Sequence, residues 1–204
     1  MSKEMWDKNF DQYEYLYGSE PNAFIKEKAF LLKKRSVTAC FAEGEGRNAV
    51  YLAGKGHTVT AYDQSLVGLE KAEKLAREAG VTIETVTADL TKEAPPEEMY
   101  DSAIMVFGHV PRDSQRFLFE NMMHSLKPGG LLLVEVYSES QLFYNTGGPP
   151  SVDLLYDPVE VLQWIRPHFC PHFYCGEVDR VEGTKHTGTG HVIQAVVKKK
   201  AAGK

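Results

Sequence analysis

The sequence predicts an α/β fold: a mostly parallel sheet covered by helices on both faces and finished by an antiparallel hairpin. Three observations predict it. Beyond residue 35, short apolar runs alternate with runs of helical periodicity. A glycine-rich turn, Ala42-Glu43-Gly44-Glu45-Gly46, leads from the first apolar run into a helical one. The last two strand-like runs are joined by a Gly- and Thr-rich linker too short for a crossover, so they can pair only antiparallel.

Taken in order, the first strand covers Val37 to Phe41 and its helix Arg47 to Lys55. A second strand, Thr58 to Tyr62, ends at Asp63; Ser65 then caps a helix that runs to Ala79 and stops at Gly80. Ile83 to Thr87 makes the third strand, leading into Ala88-Asp89-Leu90. Lys92 to Glu98 is polar and broken by Pro95-Pro96, hence a loop. Tyr100 to Phe107 forms the fourth strand and Pro111 to Ser125 a helix. Lys127-Pro128-Gly129-Gly130 reads as a turn into the fifth strand, Leu131 to Tyr137. Tyr144 to Pro150 cannot be regular structure, while Asp157, Pro158 and Glu160 supply the start of a short helix to Ile165. Phe173 to Val181 and His191 to Lys198 form the hairpin. The segment before the first strand, residues 1–34, carries Trp6, Phe10, Tyr13, Tyr15, Tyr17 and Phe24. It is expected to be helical, to break near Gly18-Ser19-Glu20-Pro21, and to lie as a lid over the carboxyl edge of the sheet.

Size and composition set bounds. At 204 residues, 43% hydrophobic and 25% charged, the chain suits one domain: the lid, a core over residues 35–198 and a flexible tail over 199–204. No apolar stretch approaches the ~20 residues that span a bilayer, and the amino terminus has no signal-like core. Three cysteines, Cys40, Cys170 and Cys175, do not make a disulfide framework. A cytoplasmic protein without a membrane partner is expected. A net charge of -5 argues against nucleic acid, and the Lys198-Lys199-Lys200 run reads as a solvated end. His168, Cys170, His172 and Cys175 lie close in sequence, but their spacing matches no paired zinc pattern and no metal is expected.

The glycine turn is the main functional signal. Gly44 and Gly46 let a ligand approach the backbone, and the helix start offers free N–H groups, with Asn48 in its first turn. Asp63 follows Gly46 by seventeen residues and stands at a strand's carboxyl end, where a carboxylate can accept hydrogen bonds from both ribose hydroxyls. Gln64 and Ser65 then flank the ribose or adenine. Asp89 either closes an Asx-type turn or meets an adenine amine, with Leu90 against the ring. Phe107-Gly108-His109 ends the fourth strand at the switch point where open α/β sheets bind ligands. Glu135 and Tyr137 share one face of the fifth strand, as scaffold rather than catalysts.

The glycine turn, the acid after strand two, Ala88-Asp89-Leu90, Leu126-Lys127-Pro128-Gly129-Gly130 and the terminal hairpin together resemble the S-adenosylmethionine-dependent methyltransferases of the Rossmann-like class. Tyr17-Gly18-Ser19-Glu20-Pro21-Asn22 and Gly147-Gly148-Pro149 are similar to the small-molecule branch of tellurite-resistance and thiopurine-type enzymes. The resemblance implies a doubly wound, seven-stranded sheet, S-adenosylmethionine as cofactor and a small-molecule substrate, in a monomer or homodimer. It implies cofactor contacts from Glu43, Gly44, Gly46, Asn48, Asp63, Gln64, Ser65, Asp89, Leu90, Phe107 and Gly108.

The family's acid at the end of strand one and the glycine two residues later are Cys40 and Ala42 here. The cofactor's amino-acid end then falls to Glu43, the turn amides or the amino-terminal segment. His109 is expected to take a proton from the acceptor or orient it, and Tyr13 and Tyr17 to face the sulfonium as a cation–π lid. Two alternatives stay open: a non-catalytic cofactor sensor, and a nicotinamide-dependent oxidoreductase. The latter wants a small residue at position 47, where this chain has Arg.

Overall fold

In the computed structural model, which describes residues 2–183 and 186–201, seven strands form one sheet in the order β3-β2-β1-β4-β5-β7-β6. The parallel strands are β1 (Val37–Phe41), β2 (Thr58–Asp63), β3 (Glu84–Thr87), β4 (Tyr100–Val106) and β5 (Leu126–Tyr137). β6 (Phe169–Glu182) and β7 (His186–Lys198) form the antiparallel hairpin, and β7 also pairs antiparallel with β5. The strand order reverses between β1 and β4, so a crevice opens at their carboxyl ends.

The helices cover both faces: α1 (Lys3–Phe10), α2 (Ala23–Lys28), α3 (Arg47–Gly54), α4 (Leu66–Glu78), α5 (Arg112–Ser125) and α6 (Pro158–Ile165). Local chemistry sets their ends. Ser65 accepts from the Gly68 N–H at 3.1 Å, and α4 stops where Gly80 takes φ +68°. There the Val81 and Gly80 amides return to the carbonyls of Ala76 and Arg77, the paired bonds of a Schellman close. Asp157 caps α6 with Pro158 at its first position. One buried cluster, with Phe41, Tyr62, Tyr100, Met105 and Phe119, fills one face of the sheet. The other holds Cys40, Leu52, Leu69, Ile104 and Leu133.

The structure corrects several boundaries. Lys127 to Gly130 is not a turn: these residues already belong to β5, with an irregularity of register between Tyr100 and Ser102. The hairpin is longer than its apolar runs suggest, because the Gly- and Thr-rich stretch pairs as strand, Thr187 with Val181 and Gly188 with Arg180. Cross-strand pairing there outweighs the weak strand preference of glycine. The lid breaks over residues 11–22 rather than at one point. Lys199 is not frayed; its amide reaches the Gly130 carbonyl at 2.9 Å and its ammonium the Leu126 carbonyl at 2.6 Å. Of the expected tail, residues 202–204 lie outside the described residues. Among the described residues, no helix is long and apolar enough to cross a membrane.

Candidate active site

β1 runs into a turn that holds Ala42, Gly44 and Gly46 at φ +50°, +59° and +88°. Ala42 thus keeps the left-handed conformation usual for glycine. Gly46 serves packing rather than a ligand: a Cβ on it would lie 2.5 Å from the Ala72 Cβ of α4. Having no side chain, Gly46 cannot cap α3, and Glu43 does so instead. Glu43 Oε1 accepts the N–H groups of Asn48 and Ala49 at 2.8 and 2.7 Å, and burial pushes its carboxyl up to about 7. Glu45 faces the other way, accepting the Leu16 amide at 2.7 Å and pairing with Lys71.

A cleft of about 560 Å³ lies beyond this turn, within the range of small-ligand sites. Of the expected site residues, Glu43, Gly44, Asn48, Asp63, Gln64, Asp89, Leu90, Phe107, His109 and Tyr17 lie on its wall. Asp63 is buried at the end of β2; it accepts the Gly44 amide at 2.9 Å and the Ser65 amide at 2.8 Å, and burial raises its carboxyl to about 6. A carboxylate has about four lone-pair sites, so two remain for hydroxyl donors. Asp89 closes an Asx-type turn onto Thr91 and pairs with Lys92 at 2.7 Å, while still lining the cleft.

Four expected contacts are not on this wall. Gly46 packs on α4, as above. Ser65 is fully buried, capping α4 and donating to Asp7 at 2.6 Å. Gly108 turns its carbonyl to the Tyr156 hydroxyl at 2.6 Å, and a Cβ on it would meet Met105 Sδ at 2.6 Å. Tyr13 is 93% exposed, over Lys74, and is no lid.

The roof is made by α1, part of the segment expected over the sheet's carboxyl edge, through two aromatic residues to which the sequence assigns no individual role. Trp6 and Phe10 of α1 stack at 5.3 Å, and Trp6 lies 6.4 Å from the His109 ring. Lys71 fastens the chain after α1 to α4 by donating to the carbonyls of Phe10, Gln12 and Glu14. His109 is buried, which lowers its imidazole to about 4, so the ring is neutral at pH 7. The Tyr17 ring meets His186 at 4.6 Å, and burial pushes its phenol up to about 12. Ser2 caps α1, accepting the Met5 amide at 3.4 Å, but nothing local marks Trp6 or Phe10 as cleft residues.

The far end of the cleft is braced by the hairpin. Arg47 pairs with Glu182 at 2.8 Å, both side chains being buried. Asn22 donates from its amide nitrogen to Glu135 at 2.9 Å and to Glu182 at 3.0 Å, and its backbone N–H reaches Asn48 Oδ1 at 2.9 Å. Lid, turn, β5 and hairpin therefore share one buried polar network. Cys40 is fully buried in the core and does not face a ligand; burial raises its thiol well above the usual range. Among the described residues, no three His, Cys, Asp or Glu side chains gather as a metal cluster.

This geometry suits an adenosine-containing ligand lying from Asp89 to Phe107, with a reacting centre under the roof near His109. Residues 39–130 match the model of the methyltransferase domain family. No curated protein matches the sequence. Solved structures share the fold. A SAM-dependent methyltransferase from Methanosarcina mazei superposes with TM-score 0.71 at 15% identity, over 90% of this chain and 100% of that one. TehB from Haemophilus influenzae gives 0.70 at 16%, over 97% and 67%. The N-methyltransferase NodS from Bradyrhizobium japonicum, in complex with S-adenosyl-L-homocysteine, gives 0.70 at 11%, over 97% of each chain.

Proposed function

We propose that this chain is an S-adenosylmethionine-dependent methyltransferase that moves the methyl group onto a small acceptor, a thiol, a metalloid oxyanion or a similar nucleophile, by in-line transfer. The observation that carries the reading is the roof: α1 and Tyr17 close over a cleft of about 560 Å³, which leaves room for the cofactor and a small partner beneath Trp6.

The residues fit the cofactor. A Cβ on Gly44 would come within 3.0 Å of the Phe10 ring, so glycine there lets α1 close down onto the turn. The free lone pairs of Asp63 suit the ribose hydroxyls, Asp89 and Leu90 the adenine. With Cys40 buried, the amino-acid end falls to Arg47, Asn48 and Tyr17. When bound, S-adenosylmethionine would supply an activated methyl on a sulfonium, with sulfur keeping the S–C electron pair as the acceptor took the methyl. The chain's own part is alignment, exclusion of water and placement of a neutral ring. His109, with Nδ1 unpartnered among the described residues, takes a proton from a protonated acceptor and is not needed by a thiolate.

The position of Cys40 also favours a second reading, a sensor that binds the cofactor without turnover. Calorimetry with S-adenosylhomocysteine tests both. Binding is expected, and Asp63→Ala should weaken it by at least ~1 kcal/mol through lost charge-assisted hydrogen bonds. No binding at millimolar ligand would sink both readings. Turnover of thiols, selenite, tellurite or small amines separates enzyme from sensor.

A further inference from the structure

Beside the cleft, the hairpin turns two charges inward. Along β6 the exposed side chains of Asp179 and Val181 alternate with buried Arg180 and Glu182, as the two-residue period of a strand requires. Glu182 has Arg47 and Asn22 as partners. Arg180 has no comparable set. Its side chain is 4% exposed, and its nearest carboxylate is Glu135 at 3.9 Å, which already accepts from Asn22 and Gln194. Among the described residues, neither terminal nitrogen of Arg180 has a hydrogen-bond partner.

Arg180 is not alone. Its guanidinium lies 4.7 Å from the Phe107 ring centre and 4.9 Å from that of Tyr137. Phe107 is on the cleft wall and stacks on Tyr137 at 4.4 Å. His186 presents its edge to both rings, and His109 stacks on the other side of Tyr137 at 6.0 Å. Tyr137 Oη, His186 Nδ1 and His109 Nδ1 are likewise buried without a hydrogen bond of good geometry among the described residues; the two histidines line the cleft, while Tyr137 and Arg180 stand next to each other outside its lining. A buried donor left unmade costs ~1–3 kcal/mol, more when charged, so each of these atoms has capacity for a further partner.

We propose that this group is the acceptor's anchoring subsite and that the acceptor is a small carboxylate, held by Arg180 and Tyr137 Oη with its nucleophilic atom towards His109. The inference rests on the methyltransferase reading and narrows its substrate class. A guanidinium fork and a phenol are donors matched to a planar carboxylate.

The test is calorimetry on the full chain saturated with S-adenosylhomocysteine, using matched probes: mercaptoacetate against mercaptoacetamide, and benzoate against benzamide. The wild-type complex should bind each carboxylate about tenfold more tightly than its amide, as charge-assisted pairing predicts. Arg180→Gln should abolish that preference while still binding S-adenosylhomocysteine. Tyr137→Phe should reduce it severalfold, and serves alone if Arg180→Gln does not fold. Equal binding of acid and amide, no binding of either carboxylate at millimolar concentration, or a preference that survives Arg180→Gln would overturn the proposal and leave water as the partner of Arg180. Failure of S-adenosylhomocysteine itself to bind would instead count against the methyltransferase reading.

Discussion

Replacing Glu43 by glutamine should stabilise the protein at alkaline pH and leave it nearly unchanged in acid. Glu43 is buried, its Oε1 holding the first amides of α3, and its carboxyl rises from 4.5 to about 7 because burial penalises the anion more than the two amides and Arg47 favour it. A folded value above the unfolded one means that the folded chain keeps this proton longer. The penalty is therefore absent below pH 4.5, grows as pH rises towards 7 and is constant above it. At ~1.4 kcal/mol per pH unit, the full penalty is about 3 kcal/mol at pH 8. Glutamine keeps the accepting oxygen and cannot ionise. Urea unfolding followed by tryptophan fluorescence should show Glu43→Gln more stable than wild type by ~1–3 kcal/mol at pH 8, and within ~0.5 kcal/mol near pH 4.5. Glu43→Ala, which uncaps the helix, should lose ~1–2 kcal/mol at pH 4.5. If Glu43→Gln were the weaker protein at pH 8, the anion would be a net stabiliser of the helix start, and burial would not be the dominant influence.

Three further outcomes are expected. Gly46→Ala should cost ~2–5 kcal/mol, combining a left-handed backbone with a Cβ that meets Ala72; a melting temperature within a degree of wild type would contradict this packing. Tyr13→Ala should change neither stability nor S-adenosylhomocysteine affinity by more than ~0.5 kcal/mol, whereas Trp6→Ala should weaken that affinity by ~1 kcal/mol; calorimetry on the pair decides whether the roof is α1. The His109 imidazole, lowered to about 4 by burial, should stay neutral from pH 8 down to about 5 in an NMR titration. Its folded value lies below the unfolded 6.5, so it contributes stability above that pH and loses it as pH falls towards 4. A midpoint near 6.5 would place the ring in solvent.

The sequence alone determined the order of the elements and the direction of the sheet, because strand and helix periods and their caps are written within a few neighbouring residues. Asp63, Gln64, Asp89, Leu90 and Gly44 were legible for the same reason: each stands at a strand end or turn whose position follows from local pattern. What each turn residue does was decided by tertiary structure. Glu43 caps a helix, Gly46 makes room for α4 and Ser65 is sealed beneath α1, since contacts with chain many residues away settle which way a side chain turns. Tyr13 and Tyr17 are four residues apart in one aromatic-rich segment, yet one is exposed and the other lines the cleft; Lys71 sets that path from α4. The hairpin side of the cleft depended most on folding. Arg180, Glu182 and His186 reach Phe107, Tyr137 and Asn22 only because a glycine-rich stretch that looks like a loop pairs as strand and carries the hairpin over the sheet's edge.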